Sequence, residues 1–140
     1  MISKLTMASQ KMQSFGTRLG PNAIKIGSDG LYVSDERLQG KKALLFIVQE
    51  WCGHCRNLAA DAKQAQSSGL VACYMTGDDE ASKRCFEAMN VYGFPTIFVV
   101  MPNGKLIDYN GGRSAQELAN AARGGSSQSG GSSWWSMFFE

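Results

Sequence analysis

Glu50-Trp51-Cys52-Gly53-His54-Cys55-Arg56 stands between two stretches of different period. Before it runs Lys42-Ala43-Leu44-Leu45-Phe46-Ile47-Val48, an apolar segment of strand length. After it, Leu58, Ala59, Ala62 and Ala65 fall on one stripe of a helix predicted from Cys52 to about Ser67. A Cys-x-x-Cys at a strand-to-helix junction puts its first thiol at a helix N-terminus, where unpaired backbone N–H groups and the helix dipole favour a thiolate. Cys52 is therefore the predicted nucleophile. Cys55 comes one turn later, near enough to close a small disulfide ring and covered by the body of the fold, which makes it the resolving thiol. Gly53 lets the turn close tightly and leaves room for a substrate chain. His54 can hydrogen-bond or, when protonated, favour the thiolate, and the expected result is a more oxidising couple.

The four cysteines also admit a zinc reading, in which Cys73 and Cys85 complete a set with Cys52 and Cys55. Structural zinc sites favour a second closely spaced pair, whereas eleven residues separate Cys73 from Cys85 and the pattern puts one in a strand and the other in a helix. Redox chemistry, with no metal and no organic cofactor, is the better reading. Cys85 reads as a small hydrophobe on a helix.

Trp51-Cys52-Gly53-His54-Cys55 resembles the active site of thioredoxin-superfamily domains, and its Gly-His dipeptide resembles the protein disulfide isomerase form. Two further segments agree. Tyr92-Gly93-Phe94-Pro95-Thr96, opening the strand Ile97-Phe98-Val99-Val100, is similar to the family's cis-proline loop, and Tyr109-Asn110-Gly111-Gly112-Arg113 resembles the end of isomerase catalytic domains. The matches run from about Leu31 to Arg123. The resemblance implies an α/β thioredoxin fold, a central mixed β-sheet flanked by helices. It also implies exchange of a Cys52–Cys55 disulfide with the cysteines of protein substrates through a mixed disulfide at Cys52, with Trp51, Phe94 and a cis Pro95 contacting substrate.

This chain departs from the family in one chemical respect. The family buries an acid six residues before the first cysteine, where it relays a proton to and from the resolving thiol, and here Phe46 holds that place. Alignment of the next strand sets Cys73 where many thioredoxins carry a lysine. With both charged partners replaced by neutral groups, water must serve as the base, and release of a mixed disulfide is expected to be slow.

Composition bounds the rest. With 140 residues, 44% of them hydrophobic, the chain can bury one core and hardly two. A net charge of +2, with Lys and Arg scattered, supports neither a nucleic-acid stripe nor a membrane-surface patch. The apolar runs Ala43 to Val48 and Ile97 to Met101 fall far below the ~18 residues a spanning helix needs. Met1 to Gly20 lacks a continuous apolar stretch of the secretory kind, so the expectation is a soluble protein without signal peptide, in the cytoplasm.

Taken in order, residues 1–21 read as an N-terminal arm without its own core, 22–123 as the thioredoxin-like domain, and 124–140 as a Gly/Ser linker with an aromatic tail. Ile24, Ile26, Leu31 and Val33 alternate about Gly27-Ser28-Asp29-Gly30 as a hairpin or bent first strand. Only Ser34 to Lys42 then remain for the family's first helix. That allows two turns at most and predicts a thinly covered sheet face. Leu70 to Met75 reads as a buried strand, Asp79-Glu80 as a helix start, and Ser114-Ala115-Gln116-Glu117 as a capping box. Trp134, Trp135, Phe138 and Phe139 form an aromatic cluster expected to bind an assembly partner. Two functions follow: a thiol–disulfide oxidoreductase, or a structural component that uses the same fold in a larger assembly. Short thioredoxin-like chains without a leader resemble proteins of large DNA viruses, some of which package them, and this makes a virion the second expected location.

Overall fold

The run Ala43–Val48 forms strand β4, and all six of its residues are buried. A strand covered on both faces carries an unbroken apolar run because neither set of alternating side chains meets water. Leu44, Phe46 and Val48 enter one layer of core, and Ala43, Leu45 and Ile47 the other. Burying each large side chain among these contributes roughly 1.5–3 kcal/mol.

A computed structural model describes residues 12–123. Their elements in chain order are β1 (Thr17–Arg18), β2 (Ile24–Gly27), β3 (Gly30–Val33), β4, α1 (Gly53–Ser67), β5 (Ala72–Thr76), α2 (Glu80–Ala88), β6 (Thr96–Val100), β7 (Leu106–Asp108) and α3 (Ala115–Ala121). The main sheet runs β1-β5-β4-β6-β7. β1 and β4 pair parallel with β5, whereas β4 with β6 and β6 with β7 pair antiparallel. This is the expected mixed sheet of a thioredoxin fold, with α1 and α3 packed on one face. The helices begin where side-chain caps satisfy their first N–H groups: Asp79 caps α2, and Ser114 and Glu117 form the predicted capping box on α3.

Two expectations are corrected here, and one open alternative is decided. The arm does not extend to residue 21, because Met12, Phe15 and Leu19 are buried and β1 is the sheet's outer parallel strand. A strand of two residues carries no readable period; tertiary pairing alone makes it one. Gly16 turns into β1 with a φ of 95°, and a Cβ there would overlap the Ala72 carbonyl of β5, so glycine is required by both conformation and space.

Of the two readings of residues 24–33, the hairpin is the one formed, and it stands apart from the main sheet. β2 and β3 form a separate two-stranded sheet, joined to the β6–β7 turn through the Val33 N–H, which donates to the Gly104 carbonyl at 2.8 Å. The sheet face is not thinly covered. A single 3-10 turn, Glu36–Leu38, stands in the Ser34-to-Lys42 interval, and Leu31, Val33 and Leu38 pack with Phe86 of α2 and its C-cap Met89 over Leu45, Ile47 and Phe98. The hairpin thus does the covering that the short interval denies to a helix.

Residues 124–140, with Trp134, Trp135, Phe138 and Phe139, lie outside the described residues. No described helix is long and apolar enough to cross a membrane.

Candidate active site

β4 delivers the chain to the sheet's end, and the turn Gln49-Glu50-Trp51 places Cys52 as the N-cap of α1. The Cys52 sulfur does the work that a Ser or Asp oxygen does at most helix starts: it accepts the Cys55 N–H at 3.2 Å. The Cys52 N–H donates to the Gln49 carbonyl at 3.2 Å, and Arg56 donates to the Glu50 carbonyl at 2.8 Å, so the turn is tied at both ends. Cys52 is 6% exposed and Cys55 fully enclosed, leaving the first sulfur as the one with an opening to solvent.

The second wall comes from 42 residues away. The Phe94–Pro95 peptide is cis, as the sequence led one to expect, and the Cys52 thiol donates to the Phe94 carbonyl at 3.5 Å. The Phe94 ring meets Trp51 edge-on at 5.8 Å and Phe86 at 5.9 Å. Pro95 itself is buried, so the surface beside Cys52 is presented by Trp51, 70% exposed, above the half-buried Phe94. Of the residues singled out in the sequence, Trp51, Cys52, Cys55, Phe94 and Pro95 converge. His54 lies on the exposed side of α1 with no hydrogen bond or ion pair among the described residues. Gly53 is exposed too, and a Cβ there would meet nothing nearer than Arg56 Nη2 at 3.9 Å. The turn therefore needs no glycine; what glycine provides at 53 is open space.

Burial pushes the Cys55 thiol well above the usual thiol range, and the hydrogen bond with Cys52 adds to the rise. Two groups pull the other way, the Gln49 backbone N–H and the Arg113 guanidinium. Arg113 arrives from the β7–α3 loop, where the Tyr109 hydroxyl donates to the Gly112 carbonyl and Arg113 donates to the Pro95 carbonyl at 3.4 Å. No carboxylate among the described residues acts on Cys55. The place expected to hold one is Phe46, fully buried in the same core layer as both cysteines, with the Phe15 ring at 5.1 Å.

Cys73 is not behind the thiols, which corrects its alignment with the family's lysine. In the parallel register Phe46 faces Tyr74 and Leu45 faces Cys73, so the period of two turns Tyr74 toward the thiols' layer and Cys73 toward the α2 layer. There the Cys73 thiol donates to the Leu44 carbonyl at 3.5 Å, and burial pushes its pKa up to about 12. Cys85 donates to the Met89 sulfur at 3.7 Å. Among the described residues no group of three or more His, Cys, Asp or Glu is placed to hold a metal.

Sequence reasoning missed Phe15, Tyr74, Gln49 and the action of Arg113. For Gln49 a signal existed: it is the single polar residue in the buried stretch 43–49.

The sequence matches the thioredoxin family, described as Thioredoxin, over residues 33–123. It is 34% identical over 89 residues to a protein disulfide-isomerase of Hordeum vulgare, covering 60% of this chain and 17% of that one. With the protein disulfide-isomerase like 2-2 of Arabidopsis thaliana it shares 37% over 80 residues, 56% of this chain and 18% of the other. The chain thus spans less than a fifth of the length of either relative. Among solved structures, the first thioredoxin domain of mouse protein disulfide-isomerase A4 superposes with a TM-score of 0.50 at 23% identity, covering 71% of this chain and 77% of that one.

Proposed function

The chain belongs to the thioredoxin family, and on that premise we propose that it is a thiol–disulfide oxidoreductase of the protein disulfide isomerase type, acting on cysteine-containing proteins. The observation that carries this reading is the placement of the Cys52 sulfur: capping α1, holding the Cys55 N–H, and lying against the Phe94 carbonyl of the cis-proline loop. The Cys52 thiolate attacks one sulfur of a substrate disulfide. A Cys52–substrate bond forms, the substrate bond breaks, and the departing thiolate takes a proton from water. Cys55, after losing its proton to water, attacks the Cys52 sulfur; the Cys52–Cys55 disulfide forms and the second substrate thiol leaves. The reverse sequence oxidises a substrate dithiol. Trp51 and Phe94 supply apolar area that holds the substrate chain near the sulfur.

The test is turnover of the purified chain on a disulfide-bonded protein, with a thiol reductant to recycle it. Cys52→Ser should abolish both turnover and covalent adducts, while Cys55→Ser should accumulate a mixed disulfide at Cys52. Turnover by Cys52→Ser at the rate of the parent chain refutes the assignment.

A further inference from the structure

α1 carries a stripe of residues that the chemistry above does not use. Arg56, Ala59, Lys63 and Gln66 follow one another at spacings of three, four and three, which sets them on one face of the helix. The facing wall is the 3-10 turn Gln13–Phe15 with Met12 before it. Between the walls lie two adjoining hollows of about 260 and 320 Å³, the first bordered by Arg56, Ala59, Met12 and Ser14, the second by Lys63, Gln66 and the same Ser14. One water takes ~30 Å³, so each hollow has room for a side chain. The far end is closed where Gln66 Nε2 donates to the Ser14 carbonyl at 2.7 Å. The near end opens at the active site. There Arg56 Nη1 is held on the Glu50 carbonyl at 2.8 Å, and Nη2 borders the open space at Gly53, 3.9 Å from where a Cβ would stand.

Both charges on this groove are positive. Neither Arg56 nor Lys63 forms an ion pair among the described residues, and no carboxylate lines either hollow. Of the acids near in sequence, Asp61 lies roughly 140° around α1 from Arg56, at ~100° per residue, and Glu50 offers Arg56 only its carbonyl. Residues 1–11 contain Lys4 and Lys11 and neither Asp nor Glu, so the chain's own beginning does not supply the missing charge. We propose that the groove between the Gln13–Phe15 turn and α1 binds an acidic segment of the protein substrate, with Arg56 and Lys63 as specificity-determining residues. This inference rests on the oxidoreductase reading above and names the class of substrate. The spacing of the acids follows from the helix. Lys63 comes seven residues after Arg56, ~10 Å along the axis, which an extended chain at ~3.3 Å per residue spans in about three residues. Arg56 comes four residues after Cys52, ~6 Å, or about two extended residues. A substrate with acidic side chains about two and five residues from its reactive cysteine therefore matches both cations while that cysteine meets the Cys52 sulfur.

The experiment uses the reduced full chain in a Cys85→Ser background, and synthetic peptides whose single cysteine is held in a disulfide with a nitrobenzoate thiol. The Cys52 thiolate attacks the peptide sulfur, the Cys52–peptide bond forms, and the nitrobenzoate thiolate leaves and absorbs visible light. One pair of peptides carries Glu or Gln at about two and five residues before the cysteine, and a second pair carries them after it. The ratio of rate constants, Glu peptide over Gln peptide, should reach about fourfold in one pair and fall toward one as salt rises to ~0.5 M. Arg56→Gln and Lys63→Gln should each lower it roughly twofold, Arg56→Lys should retain it, and Lys25→Gln on the β2–β3 hairpin should leave it unchanged. A ratio of one in both pairs with the parent chain, which a groove filled by residues 1–11 would also give, overturns the proposal. So does an equal fall with Lys25→Gln and Lys63→Gln, the mark of net charge alone, or an equal slowing of Glu and Gln peptides in both groove variants, the mark of a loosened turn. If no peptide releases chromophore faster with the parent chain than with its Cys52→Ser variant, the oxidoreductase reading fails before the groove is tested, and the two failures are thereby told apart.

Discussion

Replacing Phe46 with Glu puts a carboxyl back behind the resolving thiol, and the structure sets what this costs. Phe46 is fully buried, packs on Phe15 with ring centroids 5.1 Å apart, and lies in register with Tyr74. Truncating a buried Phe costs ~3–5 kcal/mol, and Glu refills part of the space; burying its neutral carboxyl adds ~1–3 kcal/mol. The sum, roughly 5 kcal/mol, is a large fraction of the ~5–15 kcal/mol available to a domain, so the variant should fold but with reduced stability. Burial raises the carboxyl's pKa, and the sign follows. The protonated acid is tolerated, so stability is fully present below the unfolded value of ~4.3 and is lost as pH rises through the higher folded value. Only the ionised form can take the Cys55 proton, so resolution of a mixed disulfide should rise over that same range, by about a hundredfold if general-base catalysis reaches its ordinary lower bound. Urea unfolding and stopped-flow resolution, each followed against pH, should share one inflection. A folded Phe46→Glu chain that resolves no faster than the parent, or whose two inflections differ, refutes the idea that position 46 faces the thiols.

Three further outcomes are expected. His54→Pro should make the couple more reducing, moving from the ~−180 mV of the isomerase toward the ~−270 mV of thioredoxin, as read by equilibration with glutathione; an unchanged potential removes any tuning role from His54. Phe15→Ala should cost ~3–5 kcal/mol in urea unfolding, because Phe15 is fully enclosed between Phe46 and Tyr74, whereas a loss under ~1 kcal/mol would return residues 12–20 to the status of a loose arm. Cys73, whose pKa burial lifts from 9.0 to about 12, contributes stability that is present below its unfolded value and lost as pH rises through this window, at ~1.4 kcal/mol per pH unit. Cys73→Ala should therefore show a shallower decline in stability above about pH 9 than the parent chain, and parallel declines would contradict the burial of this thiol.

Local chemistry was legible without coordinates. Cys52 and Cys55 at a strand-to-helix junction, the buried run of β4, and the capping box at Ser114 and Glu117 each depend on residues within a turn or two of one another, while the cis bond before Pro95 was expected from the family resemblance. Short-range order of that kind is written in period and spacing. What decided the remainder was pairing between distant segments. Thr17 beside Cys73 makes a strand of two residues that no pattern announces, and it draws Phe15 in behind Phe46. A register of Phe46 with Tyr74 assigns Cys73 to the far face of the sheet; a shift of one residue would have reversed that, because successive strand side chains point to opposite sides. The Gln49 side chain accepts the Gly77 N–H across 28 positions, and a backbone N–H is a donor every non-proline residue carries, so this bond leaves no mark in the sequence. Residue types determined which chemistry the chain can perform. Only packing decided which of its four thiols and which of its polar groups stand together to perform it.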